Sequence, residues 1–169
     1  MIMTYTSAQA AKLLSKIRQD YDRIINQEEN SKTFLASVGE DVDSVRPAYD
    51  YDGTKEQLEA LESKIRKIKH AVNVFNTTTV VPEVGMTVDE LLVYLPQLSR
   101  KKGKLLEMAN TPPKARHRNL DKSNIVDYKY INYDLDRINA DLDAVTEELS
   151  KAQLALDSVN HTAVISIDI

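Results

Sequence analysis

Leu135, Ile138, Leu142, Val145, Leu149, Ala152, Leu156 and Val159 recur alternately three and four residues apart. A mean spacing of 3.5 places all eight on one seam of a helix. Leu58, Leu61, Ile65, Ile68, Val72 and Phe75 form a second seam earlier in the chain. A third stripe, Ala10, Leu14, Ile17, Tyr21 and Ile24, predicts a helix from Ser7 to about Glu29, with Lys12, Lys16, Arg18 and Asp20 off its apolar face. A fourth, Val88, Leu91, Leu92, Leu95, Leu98, Leu105 and Leu106, opens at Thr87-Val88-Asp89-Glu90, where the Thr hydroxyl and the Glu carboxylate can cap each other's backbone N–H. Pro96 is expected to kink this helix, Gly103 to weaken it and Thr111-Pro112-Pro113 to stop it.

Between the stripes the period changes. Thr77 to Val81 is β-branched throughout, which disfavours helix and suits a strand. Ser123 to Asn132 alternates, with Ile125, Asp127, Lys129 and Ile131 on one face and Val126, Tyr128 and Tyr130 on the other. His161 to Ile167 alternates again. Thr33 to Asp43 reads as a loop in which Phe34-Leu35-Ala36 covers the core, and Val45 to Tyr51 as a short extended piece, because Pro47 disfavours helix at Arg46. Asp52-Gly53 reads as a turn. Thr54 with Gln57 then caps the second helix, which runs to about Phe75, and Asn132 or Asp134 caps the fourth, which runs to about Val159. The expected fold is mainly α: one domain, residues 1–169, an antiparallel bundle of about four helices, two of them long and heptad-patterned. A small β-sheet is expected from the strands after the second and fourth helices together with residues 124–131.

The two seams are in phase at an offset of 84 residues. Over 58–81 and 142–165 this offset gives seven identities, among them Ala71/Ala155, Asn76/Asn160, Thr78/Thr162 and Val80/Val164. Two such helices share some letters by composition, but the Asn-x-Thr-x-Val exit is common to both and suggests an internal repeat. Asn tolerates the left-handed conformation that ends helices, so Asn76 and Asn160 are expected to be structural helix stops.

Three stretches carry a family resemblance: Ile68-Lys69-His70-Ala71-Val72-Asn73-Val74-Phe75-Asn76-Thr77-Thr78, then Thr87-Val88-Asp89-Glu90-Leu91-Leu92, then Ser123-Asn124-Ile125-Val126-Asp127 through to Asn160. Over roughly residues 58–169 the chain resembles the septicolysin-like family of bacterial proteins. The resemblance implies a mostly helical fold and brings no established activity and no site residue. Pro96 and the longer basic, Pro-rich loop depart from the family pattern. The cytolysin in the family label finds no glycine-rich insertion segment or membrane hairpin in this sequence.

Composition narrows the chemistry. With 42% hydrophobic residues and no Trp, the core letters are Leu, Ile, Val and Ala. The absence of Cys excludes disulfides, thiolate metal sites and cysteine nucleophiles, and fits a reducing, cytoplasmic setting. The first residues lack the basic and apolar regions of a signal peptide, and no apolar run approaches a membrane span. His70, His117 and His161 are scattered, so no metal is expected. Asp50-Tyr51-Asp52-Gly53 places Ala48 where a calcium loop needs its first ligand. Four glycines make no phosphate loop. The acids of the fourth helix, such as Asp136, Asp143 and Glu147, avoid its seam as a solvated face does. No nucleophile–base pair is visible, so neither an enzyme nor a cofactor is expected.

Charge is uneven. Residues 100–118 carry +6, against −10 for the rest of the chain. Lys101, Lys102, Lys104, Lys114, Arg116 and Arg118 are therefore the candidate phosphate or nucleic-acid contacts, acting by charge. The segment has no interleaved aromatic residue for base stacking, although Tyr128 and Tyr130 follow in the next strand. A solvated loop, or a contact with the acidic surface of a neighbouring copy, is the competing reading. The sequence thus favours a structural or interaction module acting through self-assembly, a homo-oligomer, with a nucleic-acid or phosphate binder as the alternative.

Overall fold

The computed structural model describes residues 2–117 and 126–169. Its elements run β1 (Ile2–Thr6), α1 (Ser7–Ser31), α2 (Val42–Val45), α3 (Tyr51–Thr78), β2 (Val80–Val81), β3 (Met86–Thr87), α4 (Val88–Ala109), β4 (Lys114–His117), β5 (Asp127–Tyr130), α5 (Leu135–Thr162) and β6 (Val164–Asp168). The fold is mainly helical with small antiparallel ribbons. The sequence leads one to expect a single sheet, but the described strands pair two by two: β1 with β6, β2 with β3 and β4 with β5.

The chain divides into two compact units. The first comprises Met1–Thr79 and Ser158–Ile169. In it α1 packs along α3, and the β1–β6 ribbon lies against both helices. Ile165 and Ile167 are buried while Val164 is exposed, so β6 turns alternate residues inward. Ala10, Ile17, Ile68 and Phe75 are the buried helix positions here. The second unit, Val80–Asp157, holds the β2–β3 hairpin, α4, the β4–β5 hairpin and most of α5. Val88, Leu91, Leu98 and Leu105 of α4 are buried, as are Ile138, Val145, Leu149, Ala152 and Leu156 of the long seam.

Capping sets the starts of the helices. Thr6 accepts from the Gln9 N–H at 3.2 Å while the Gln9 side chain accepts from the Thr6 N–H at 2.9 Å. Thr87 and Glu90 repeat this arrangement at 3.2 and 2.8 Å. The first box, and the strand before it, are not apparent from the hydrophobic pattern. Asp50, not Thr54, caps α3: its carboxylate accepts from the Gly53 N–H at 3.1 Å. Thr54 instead donates to the Asp50 carbonyl at 2.6 Å, and Asp52-Gly53 lies in the first helical turn. The Asp134 carboxylate accepts from the Asp136 and Arg137 N–H groups and so caps α5.

The ends of α3 and α5 correct the reading of the two asparagines. Both helices run two residues past them, to Thr78 and Thr162, so Asn76 and Asn160 sit in the last turn. Among the described residues only Gly39 and Gly85 have positive φ, and no left-handed Asn occurs. Threonine is the physical reason. Thr78 and Thr162 donate their hydroxyls to the carbonyls of Val74 and Ser158 at 2.7 and 2.8 Å. Each bond runs to the carbonyl four residues back and satisfies the threonine hydroxyl within the last helical turn, which suits Thr to that position. The strand expected over 77–81 is therefore only Val80–Val81.

Three other expectations shift. Of the extended piece expected over 45–51, Arg46 and Asp50 are extended, while Val45 ends the single helical turn Val42–Val45 capped by Asp41 and Tyr51 opens α3. The final strand is displaced to Val164–Asp168. The strand expected over 124–131 is Asp127–Tyr130, residues 124 and 125 lying outside the described part, and its partner is Lys114–His117, which the sequence suggests is loop. Pro96 lies within α4, which continues past it to Ala109.

Two offsets relate the elements. At 84 residues the caps Asp50 and Asp134, the full spans of α3 and α5, and the first residues of β2 and β6 coincide. The exit bonds coincide too: Thr79 N–H to Phe75 O, and Ala163 N–H to Val159 O, both 2.9 Å. At 81 residues the boxes Thr6/Gln9 and Thr87/Glu90 coincide, and the buried Ala10 and Ile17 meet Leu91 and Leu98. The strand registers agree as well, since Thr6 faces Val164 and Thr87 faces Val80. Each ribbon thus pairs the strand that opens one half of the chain with the strand that closes the other.

Candidate functional site

The β4–β5 hairpin is where the basic segment acquires geometry. Lys114 stands opposite Tyr130 and Arg116 opposite Tyr128. Directly opposed residues of an antiparallel pair share a face, and so do residues two apart. Lys114, Arg116, Tyr128 and Tyr130 therefore lie on one face, and Ala115, His117, Asp127 and Lys129 on the other. The Lys114 ammonium sits 4.2 Å from the Tyr128 ring centroid and 5.5 Å from that of Tyr130. Both distances fall within cation–π range. The rings are 6.5 Å apart and tilted, and every residue of both strands is exposed. A backbone bond from Ile131 N–H to Pro113 O prolongs the ladder at 3.2 Å.

A groove of about 630 Å³ runs between the hairpin and the end of α4. Met108, Pro112, Ala115, Tyr130, Ile131 and Tyr133 give it apolar walls, with Lys104, Lys129 and Glu107 among them. Tyr133 holds one side, its hydroxyl donating to the Met108 carbonyl at 2.7 Å. This volume lies within the range of small-molecule and side-chain-binding clefts.

The basic candidates thus separate. Lys114 and Arg116 share the aromatic face, and Lys104 lines the groove. Lys101 is exposed and Lys102 half-buried on α4; neither lines the groove. Arg118 lies outside the described residues. Lys129, Met108 and Tyr133 are site residues that the sequence does not single out. Alternation marks Lys129 as strand, but its face depends on a partner strand, Lys-Ala-Arg-His, that lacks β-branched or aromatic letters.

Other clusters are structural in character. Tyr94 and Tyr21 donate to Glu148 and Glu62 at 2.5 and 3.2 Å, and in each case the carboxylate contact raises the phenol pKa. The Tyr49 hydroxyl donates to Glu28 at 2.6 Å, and this bond pushes its pKa up to about 12. The Lys151 ammonium, 2.5 Å from Glu147, holds that carboxyl below its usual range. Among the described residues no group of three His, Asp or Glu converges on a metal position, and no helix is long and apolar enough to cross a membrane.

Neither a family model nor a curated protein matches the chain. Among solved structures it is similar to a functionally unknown conserved protein from Corynebacterium diphtheriae, with a TM-score of 0.60 and 17% identity over 96% of this chain and 99% of that one. At that identity the likeness is one of fold.

Proposed function

We propose that the chain is a duplicated strand–helix–helix–strand scaffold that works as an interaction module through self-assembly. The observation that carries this reading is where large apolar side chains are left uncovered. Leu35, Val38, Val42, Tyr49 and Tyr51 are exposed in and beside the connector of the first half, Val126, Tyr128 and Tyr130 in that of the second, and Val74, Leu92, Val93, Leu106, Leu154 and the ribbon residues Ile2, Met3, Val80 and Val164 on the helices and strands. Groups of exposed apolar residues on a folded protein mark contact surfaces. Two-stranded ribbons add unpaired strand edges. The matched caps, helix spans and strand registers support the duplication. The first two stretches that resemble the septicolysin-like family lie in this shared scaffold, so on this reading the resemblance concerns the frame. Sedimentation velocity over a range of concentrations tests the reading: the weight-average mass rises with concentration if it holds, and a monomer at all concentrations refutes it.

One observation favours a second reading. Lys114 over Tyr128 and Tyr130, beside Arg116, forms a cationic and aromatic platform of the kind that binds single-stranded nucleic acid. This reading expects binding of a single-stranded oligonucleotide that weakens steeply with salt and is lost in the Tyr128→Ala/Tyr130→Ala variant. Absence of binding at low salt removes it.

A further inference from the structure

The groove beside the β4–β5 hairpin has an exposed apolar loop to compare with it elsewhere in the same chain. The connector of the first half makes a tight turn at Ser37–Glu40, closed by a bond from Glu40 N–H to Ser37 O at 3.0 Å, with Gly39 at φ 88°. A positive φ at the third turn position suits glycine and leaves the second residue, Val38, at the apex. Val38 and nearby Leu35 are almost fully exposed, so the chain itself covers neither. Three acids follow the apex: Glu40, whose carboxylate accepts from the Ser37 N–H at 2.9 Å, Asp41, which caps α2, and Asp43. Asp43 is paired with Arg46 at 3.0 Å, so Glu40 and Asp41 leave the apolar apex bordered by net negative charge. The groove presents apolar walls with Lys104, Lys129 and Glu107 among them, a net positive lining.

We propose that this groove receives the Leu35–Asp43 loop of a second copy of the chain. Val38 and Leu35 enter among Met108, Ile131 and Tyr133, and the acids that follow lie against Lys104 and Lys129. The proposal rests on the self-assembly reading and names its contact. Loop and groove are different surfaces, so each copy offers one of each. Contacts of this kind are heterologous and build chains rather than closed pairs unless the rotation happens to close a ring. The loop is small beside the roughly 800 Å² per partner of a standard stable interface, which makes the association weak and concentration-dependent.

Three double variants test it in the whole 169-residue chain, with circular dichroism confirming the fold of each. Glu40→Lys/Asp43→Lys reverses the loop, and Lys104→Glu/Lys129→Glu reverses the groove. Each reversed variant alone then sets like charge against like charge, and sedimentation velocity is expected to show association weakened about tenfold or more. Mixing the two variants restores opposite charge at both contacts and is expected to restore association. Leu35→Ser/Val38→Ser, which leaves the charges alone, is expected to weaken it comparably and serves where the charge reversals perturb the turn. If the wild-type chain associates and these variants associate equally well, the loop-in-groove contact is wrong and the assembly reading stands. If the wild-type chain is monomeric at every concentration, the assembly reading itself fails.

Discussion

Thr6 and Thr87 open their helices with the same reciprocal bonds, and α3 and α5 start at an Asp cap and end at a Thr hydroxyl bonded back into the helix. The connectors between these helices share only their last two residues, Tyr49-Asp50 and Tyr133-Asp134, in which the Tyr hydroxyl bonds back to the preceding helix and the Asp caps the next one. Residues 32–50 form an acidic loop around a one-turn helix, while 110–134 contain a basic hairpin with two tyrosines. The contrast separates two pressures on sequence. Where both halves meet the same backbone requirements, the same residue types recur at fixed offsets, 81 residues for the Thr boxes and 84 for the Asp caps. Where they diverge, backbone geometry is not what selects the residues, and there a binding surface is to be sought. Each half acts as a control for the other.

The largest effects are expected in the core. Ala10 and Leu91 stand four residues beyond their Thr caps, and both are completely buried. The frame is the same but the space is filled differently. Leu91→Ala leaves a cavity and is expected to cost about 2–5 kcal/mol in urea unfolding. Ala10→Leu overfills its site and is expected to cost about 1–3 kcal/mol. If Ala10→Leu is neutral or stabilising, the first half has room at that position and the correspondence of the two cores fails.

The caps are expected to contribute less. Thr6→Ala and Thr87→Ala are each expected to cost about 1 kcal/mol near neutral pH. Their pH dependence differs, because position three of the first box is Gln9 and of the second Glu90. The backbone N–H of Thr87, and then its hydroxyl, hold the Glu90 carboxyl below its usual range. A lowered folded pKa means that the contribution is complete above the ordinary carboxylate range and is lost as pH falls through the lowered value. Thermal melts between neutral and acid pH should therefore show Glu90→Gln less acid-sensitive than wild type. Gln9→Glu should be more so. Equal acid sensitivity in all three proteins would show that the second box is open in solution.

Much of this frame is legible in the hydrophobic pattern. Six of the eight seam positions of α5 are buried, and the Thr87 box is where Thr-x-x-Glu places it. What escapes the pattern depends on partners distant in sequence. Ile2–Thr6 becomes a strand because β6 pairs with it, and β4 because Tyr128 and Tyr130 lie across from it. Asn76 and Asn160 mislead for a local reason: the Asn letter signals a stop, yet the hydroxyls two residues on extend the helix by half a turn. Of the site, the charge was visible as a run of letters and the groove was not. Its walls come from α4, the Pro112 turn and β5, which nothing in the local sequence ties together.

The smallest expected effect on stability tests the division between frame and connector most directly. Leu35→Ser and Val38→Ser change large apolar side chains, as Leu91→Ala does, but at exposed positions. Removing a side chain already in water forfeits little transfer free energy and leaves no cavity, so each should shift unfolding by no more than about 0.5 kcal/mol. Yet both residues belong to the loop, and each substitution should weaken self-association. A cost comparable to that of Leu91→Ala would mean that the connector residue is buried in the working protein and contributes to its fold. Loss of association with no loss of stability is the signature of a surface kept apolar for a partner, and neither half of the chain needs such a surface in order to fold.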